Sequence, residues 1–390
     1  SSASMSTPGH ASATAGAGGA SHFTPSMHRR VRTASHPTSP FGTSANPNNT
    51  STYTSASASY AGLGASSTAS SASMPPLAAS ANAKPIYSPN DHAYNRRSQE
   101  IMQLSGPIKY IQMAALGRDF VQLAEVYGRI IISERCLPPE RKSIKPVALG
   151  GQAGGSKFLV QGILFKYALD VKLSAASGRE KWLYGGKRRD DGAAMKAASN
   201  ELLGLSAFIK CNSSNAIRFP LMALIDYCGY RLVAVSTLPI NSETIVYGSA
   251  DAGRSVHNKD EFVMQSMQEL GHDLNLREHM VFNTAIMGPG DLEVHKGLDG
   301  FRYMIDFART FPPEAPSESS SNPQCIFYKL LRPELVRTNS KPLSSDAFSG
   351  WQSTDSQSEM MNKDVTDATK RLLEQVIPSY PQQTFLNPDF

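Results

Sequence analysis

The feature that most limits how this chain can fold is a break in composition near Lys84. Residues 1–85 are dominated by Ser, Ala, Thr, Gly and Pro, with runs such as TSASASYAGLGASSTASSAS, and no Asp or Glu occurs before Asp91. Such a stretch has too few apolar side chains to offset the entropy lost on folding, so it is expected to be a disordered tail. Apolar residues at regular spacing begin only afterwards. They assign the folding information to one domain running from about residue 95 to residue 390.

Charge narrows the partners. The tail's basic residues are Arg29, Arg30, Arg32 and Lys84, and removing these four from the formal +5 leaves about +1 for the rest. A broad, salt-sensitive nucleic-acid face needs a clear basic excess, so DNA is not an expected partner of this near-neutral domain. The acid-free, Ser-rich start superficially resembles an organelle transit peptide. The preferred reading is a tail open to phosphorylation at RRVRTAS, residues 29–35. No apolar run approaches the ~20 residues that a membrane span requires. Cys136, Cys211, Cys228 and Cys325 are scattered without a C-x-x-C pair. Neither a zinc site nor a disulfide framework follows, and a reducing compartment fits.

Helical spacing of Ile101, Leu104, Ile108, Ile111, Leu116, Phe120 and Leu123 predicts a helical region over 99–127, interrupted at Gly106-Pro107. SKFLVQGILFKYALDV, 156–171, reads as one long strand or a hairpin. A helix is expected over 192–210, with Ala194, Ala198, Glu201, Leu205 and Phe208 along one stripe. FPLMALIDY and YRLVAVSTL then form two strands joined at Cys228-Gly229. A helix over 260–270 ends at Gly271, and a last helix is expected over 364–376. The fold class is α+β with a mainly antiparallel sheet.

The densest chemistry lies in GPGDLEVHKGLDGFRYMIDFARTFPPE, 288–314. Asp299-Gly300 marks a tight turn and FRYMI a buried strand, so Asp291 and Asp306 flank a hairpin with His295 between them. Carboxylates beside an apolar hairpin need a cation, a metal or hydrogen-bond donors. Lys166, His295, Asp291 and Asp306 are therefore expected to converge, with Arg309 or Lys296 as the alternative cation.

The order of elements is also that of a protein-kinase-like fold. GGQAGG at 150–155 precedes the strand carrying Lys166, and a helix carrying Glu201 follows. In that reading Gly154 and Gly155 cover phosphates, Lys166 holds them and Glu201 orients the lysine. Asp291 is then the base or a substrate-positioning group, and Asp306 with His295 holds magnesium, making Mg-ATP the cofactor. Against it, Pro289-Gly290 stand where His-Arg belongs, Lys296 stands where a metal-binding Asn belongs, and Ala308 follows Asp306-Phe307. Plain structural readings remain beside these: Lys166 snorkelling from a strand edge, Glu201 as a solvated helix charge, and the glycines as a connector.

A separate patch, GREKWLYGGKRR at 178–189, interleaves Lys181, Lys187, Arg188 and Arg189 with Trp182 and Tyr184. Cations next to stacking rings are the means of single-stranded RNA binding. The alternative is a solvated loop whose aromatics fold back onto the core.

The 288–314 stretch resembles the signature of the Clu domain, the central module of the clustered-mitochondria proteins. Further blocks fall in matching order: GGSKFLVQGILFKYALD, LYGG, AAMKAASNELLGL, FPLMALIDYCGYRLVAVSTLPI, VYGSADAGRSVH, YKLLRPELV and KPLSSDAF. The tetratricopeptide repeats of full-length family members are not seen in this chain. The resemblance implies a non-enzymatic cytoplasmic module without a resident cofactor. It also implies a role in mitochondrial distribution or organisation, with mRNAs and mitochondrial-surface or cytoskeletal proteins as partners. The alternative is a kinase-like phosphotransferase or nucleotide-binding pseudokinase.

Overall fold

The first helical region divides into α1 (Ala93–Met102) and α2 (Gly106–Ser133), because Gly106 takes a positive φ of 66° and Pro107 has no amide hydrogen to donate. This computed structural model describes residues 92–148, 156–174, 180–212, 216–317, 322–351 and 356–380. The expected tail at 1–85, together with Gly154, Gly155 and Arg179, lies outside the described residues.

Strands β1 (Pro146–Val147), β2 (Lys157–Val160) and β3 (Ile163–Tyr167) follow, so 156–171 is a hairpin rather than one strand. Its turn is Gln161-Gly162, both at positive φ. A small hairpin, β4 (Lys172–Ser174) with β5 (Glu180–Trp182), leads into α3 (Asp191–Cys211). Asp190 caps α3 by accepting from the amide of Ala193 at 2.9 Å. Next come β6 (Met222–Tyr227) and β7 (Tyr230–Ser236), which turn at Cys228-Gly229 as expected. The first sheet has the order β1-β2-β3-β7-β6, antiparallel throughout. One face packs Phe165, Ile225 and Leu232 against Phe120, Ala124 and Ile131 of α2. The other meets α3, where Ala198 lies with Ala168 and Val233.

The chain continues through β8 (Ile245–Gly248), β9 (His257–Asn258), α4 (Glu261–Asp273), β10 (Glu278–Val281), β11 (Thr284–Met287), β12 (Glu293–Lys296) and β13 (Arg302–Ile305). Here the sheet order is β13-β12-β8-β9, with β10-β11 as a separate hairpin. Leu205 and Phe208 of α3, Met267 and Leu270 of α4, and Val294, Met304 and Phe307 form the second core. Helix α3 therefore packs on the face of the first sheet opposite α2 and enters the second core, which fixes the first sheet relative to the β12–β13 hairpin. After α5 (Pro333–Arg337), α6 (Ser356–Arg371) sends Val365 and Ala368 into that core.

Helix boundaries differ from the sequence expectation: the first helical region extends from Ala93 to Ser133, beyond 99–127 at both ends, and two later helices also depart. Helix α4 runs past Gly271 to Asp273, since Gly271 is buried in close contact with Met287 instead of ending the helix. Helix α6 starts at Ser356, well before residue 364, and passes through a π turn at Leu372–Val376. The α+β class with antiparallel sheets holds.

Candidate functional site

Strand β3 presents Lys166 toward the end of β13, where Asp306 sits at a φ of 62°. A non-glycine residue in this region is uncommon and is retained only where surrounding contacts enforce it. Lys166 Nζ lies 3.8 Å from Asp306 Oδ1, with the side chains 40% and 43% exposed. Glu201 stands behind the pair on α3, where its Oε1 accepts from the amide of Phe307 at 3.1 Å. Burial, then the charge of Asp306, pushes the Glu201 carboxyl up to about 7, against the opposing pull of Lys166 and the Phe307 amide. Asp306 in turn raises the Lys166 ammonium, with smaller help from Glu201 and Glu293. Across the β2–β3 ladder Lys166 faces Lys157. Burial first and Lys166 second lower the Lys157 ammonium.

Asp291 has a different cation. Arg309 donates from Nε to its Oδ2 at 2.8 Å and from Nη2 to its Oδ1 at 3.0 Å. Nη2 also reaches Asp346 Oδ1 at 2.6 Å. Asp346 Oδ2 accepts from the Gly290 amide at 2.8 Å and contacts His279 Nε2 at 2.9 Å. Phe327 and Trp351 lie within 6 Å of the guanidinium. Burial raises the Asp291 carboxyl despite Arg309. Burial acts the same way on Asp346, but there Arg309 and His279 prevail and hold it below the ordinary carboxylate range.

His295 is engaged elsewhere. Its Nε2 meets Glu293 Oε2 at 2.9 Å, and its Nδ1 meets Thr244 Oγ1 at 3.0 Å. Both nitrogens are thus occupied within the protein. The expected convergence accordingly divides in two. Lys166, Asp306 and Glu201 form one group, and Asp291, Arg309, Asp346 and His279 form the other, close enough that Asp306 acts on Asp291 through its charge. Arg309 pairs with Asp291 and not with Asp306, and Lys296 on the exposed end of β12 enters neither group. Among the described residues no three His, Cys, Asp or Glu side chains are arranged to hold a metal ion.

Sequence reading misses Asp346, His279 and Glu293. The signal for Asp346 is KPLSSDAF, 341–348, in which it is the sole acidic residue. Glu293 shows as a carboxylate two residues from His295, on the same side of a strand.

The basic loop after β5 takes a defined form. Lys172 Nζ and the Arg189 guanidinium lie 5.7 and 5.8 Å from the centre of the Trp182 ring. Lys181, Lys187, Arg188 and Arg189 are exposed. Tyr184 departs from the expected contact set: its ring packs edge-on against Tyr328 at 6.5 Å, and burial raises its hydroxyl. It supports the loop from inside and does not offer a stacking face.

The family described as Clustered mitochondria matches residues 94–316, a span that holds Lys166, Glu201, Asp291, Asp306 and the basic loop. The chain belongs to the clustered mitochondria family. It is similar to the clustered mitochondria protein homolog of Caenorhabditis elegans, with 31% identity over 32% of this chain and 11% of the relative. Against the Arabidopsis thaliana clustered mitochondria protein the identity is 28% over 37% of this chain and 10% of the relative. The Anopheles gambiae homolog shows 29% over 44% of this chain and 12% of its own length. This member of the family thus spans about a tenth of the length of the relatives it matches. No solved structure matches it. Among the described residues, no helix is long and apolar enough to cross a membrane.

Proposed function

We propose that this chain is a non-enzymatic, cytoplasmic binding module that acts in mRNA binding and in the distribution or organisation of mitochondria. The relatives are named for clustered mitochondria, which supports the organelle side of this reading. The observation that carries the RNA side is Trp182, flanked by Lys172 and Arg189, with Lys187 and Arg188 exposed beside it. An aromatic face with adjacent cations stacks an unpaired base and neutralises its phosphate. Mitochondrial-surface or cytoskeletal proteins are the second partner class. The non-enzymatic part is supported by Asp291, both of whose carboxylate oxygens are engaged by Arg309. Crosslinking the full chain to RNA, followed by peptide mapping, tests the reading. Crosslinks are expected within 181–189, and none anywhere in the folded domain would overturn it.

One observation favours a second reading, a kinase-like phosphotransferase or nucleotide-binding pseudokinase. Lys166 stands 3.8 Å from Asp306, with Glu201 directly behind through Phe307, and both Lys166 and Asp306 are open to solvent. Thermal unfolding with and without Mg-ATP separates the two readings. Nucleotide at 100 times its dissociation constant adds about 2.7 kcal/mol to stability. No shift at millimolar nucleotide would eliminate the second reading.

A further inference from the structure

The hydrogen bonds that shape the basic loop converge on one buried carboxylate. Asp170, just after β3, is 3% exposed. Its Oδ1 accepts from the Tyr184 amide at 2.9 Å, and its Oδ2 accepts from the amides of Gly185 at 2.9 Å and Asp190 at 3.0 Å. Three amide donors thereby offset the burial of a charge. The Asp170 amide donates to Asp191 Oδ1 at 3.0 Å. That same oxygen receives Arg189 Nε at 2.8 Å. The loop is closed at its base by Trp182 and Gly186, whose backbones exchange hydrogen bonds of 2.8 and 3.1 Å. There is no space for a side chain at Gly185, where a Cβ would fall 1.8 Å from the Arg188 carbonyl oxygen. Gly186 takes a φ of 65°. These contacts account for the LYGG block, residues 183–186.

We propose that Asp170 is a positioning residue for RNA contact: it holds loop 182–191 so that Trp182, Lys187, Arg188 and Arg189 meet a single strand as a preformed surface. The proposal rests on the RNA reading above. A loop already fixed in shape loses little further entropy when a strand docks, so its cations bind more tightly than the same residues on a free segment. Asn at this position has one acceptor oxygen and places an NH2 group where a second acceptor is needed. At least one of the three loop amides then loses its partner.

The test measures binding of a mixed-sequence single-stranded RNA oligonucleotide to the full chain across a salt series. Asp170→Asn is expected to weaken binding about tenfold and to flatten the salt slope by roughly one phosphate contact, ~0.7. A merely structural role would lower the melting temperature and leave that slope unchanged. Wild-type affinity and slope in Asp170→Asn would overturn the proposal. If that variant does not fold, Gly186→Ala disturbs the loop from its other side, since its Cβ would lie 2.9 Å from Asn322 Oδ1. The same loss is expected there, and wild-type binding would again overturn the proposal. Failure of the underlying reading looks different: the unmodified chain and the Lys187→Glu, Arg188→Glu variant would then bind alike, and both inferences fall.

Discussion

Gly204 on α3 lies directly against Phe307, so that a Cβ at 204 would stand 2.5 Å from the Phe307 carbonyl oxygen and equally close to Thr310 Oγ1. This contact brings α3 against the chain leaving β13 and sets Glu201, one turn earlier, to receive the Phe307 amide. Glycine is required there for space. Gly204→Ala should destabilise the fold by about 1–3 kcal/mol, the range for an overpacked core. Chemical denaturation measures it, and a change below about 0.5 kcal/mol, the range of ordinary surface substitutions, would mean that the contact relaxes freely.

Arg309 and Lys166 both neutralise aspartates, but their settings differ. Arg309 is buried and bridges Asp291 and Asp346, the latter with no solvent exposure. Removing it strands a buried charge, so Arg309→Ala should cost about 3–5 kcal/mol. Lys is a poor replacement, because one ammonium cannot reproduce the forked contact. Lys166→Ala removes a half-exposed pair at 3.8 Å, expected to be worth less than about 1 kcal/mol. Equal losses for the two variants would contradict this ranking.

Glu201 makes stability depend on pH. Its folded value of about 7 lies above the ordinary 4.5, so the folded state binds the proton more strongly than the unfolded state does. The contribution of this residue is therefore most favourable below about 4.5 and is lost as pH rises toward and through 7. Glu201→Gln keeps an oxygen for the Phe307 amide and has no charge to bury. Urea midpoints at pH 5 and pH 8 should fall less between those values in this variant than in the unmodified chain. An unchanged pH dependence would show that Glu201 is not the group responsible.

His279 and Asp346 are both fully buried and meet at 2.9 Å. His279→Ala removes one partner of Asp346 and opens a cavity beside it, so a loss of about 2–4 kcal/mol is expected. His279→Gln, which can still donate a hydrogen bond, should recover part of it. Differential scanning calorimetry of the two variants checks the order, and Gln no better than Ala would assign the loss to packing alone.

Local features of this protein were legible in its sequence because they depend on near neighbours. The turn at Cys228-Gly229, the break at Gly106-Pro107, the stripe of α3 and the hairpin around Asp299-Gly300 follow from the conformational preferences of a few adjacent residues and from apolar spacing. The nearness of Lys166, Glu201 and Asp306, with Asp291 beside them, agrees with the order of elements, whereas His295 bonds Glu293 and Thr244 instead. The order of elements determined nearness but not pairing. Arg309 is three residues from Asp306 and eighteen from Asp291, yet it pairs with the distant one. Asp306, turned by its positive φ, meets Lys166 from the first sheet instead. Tyr184 points inward because Tyr328, far along the chain, packs against its ring, while Asn322 donates to the Tyr184 carbonyl and holds the backbone there. Periodicity records which face of a segment is buried, whereas a charge selects its partner by distance in the packed state. That distance exists only after α3 has packed the first sheet against the second core.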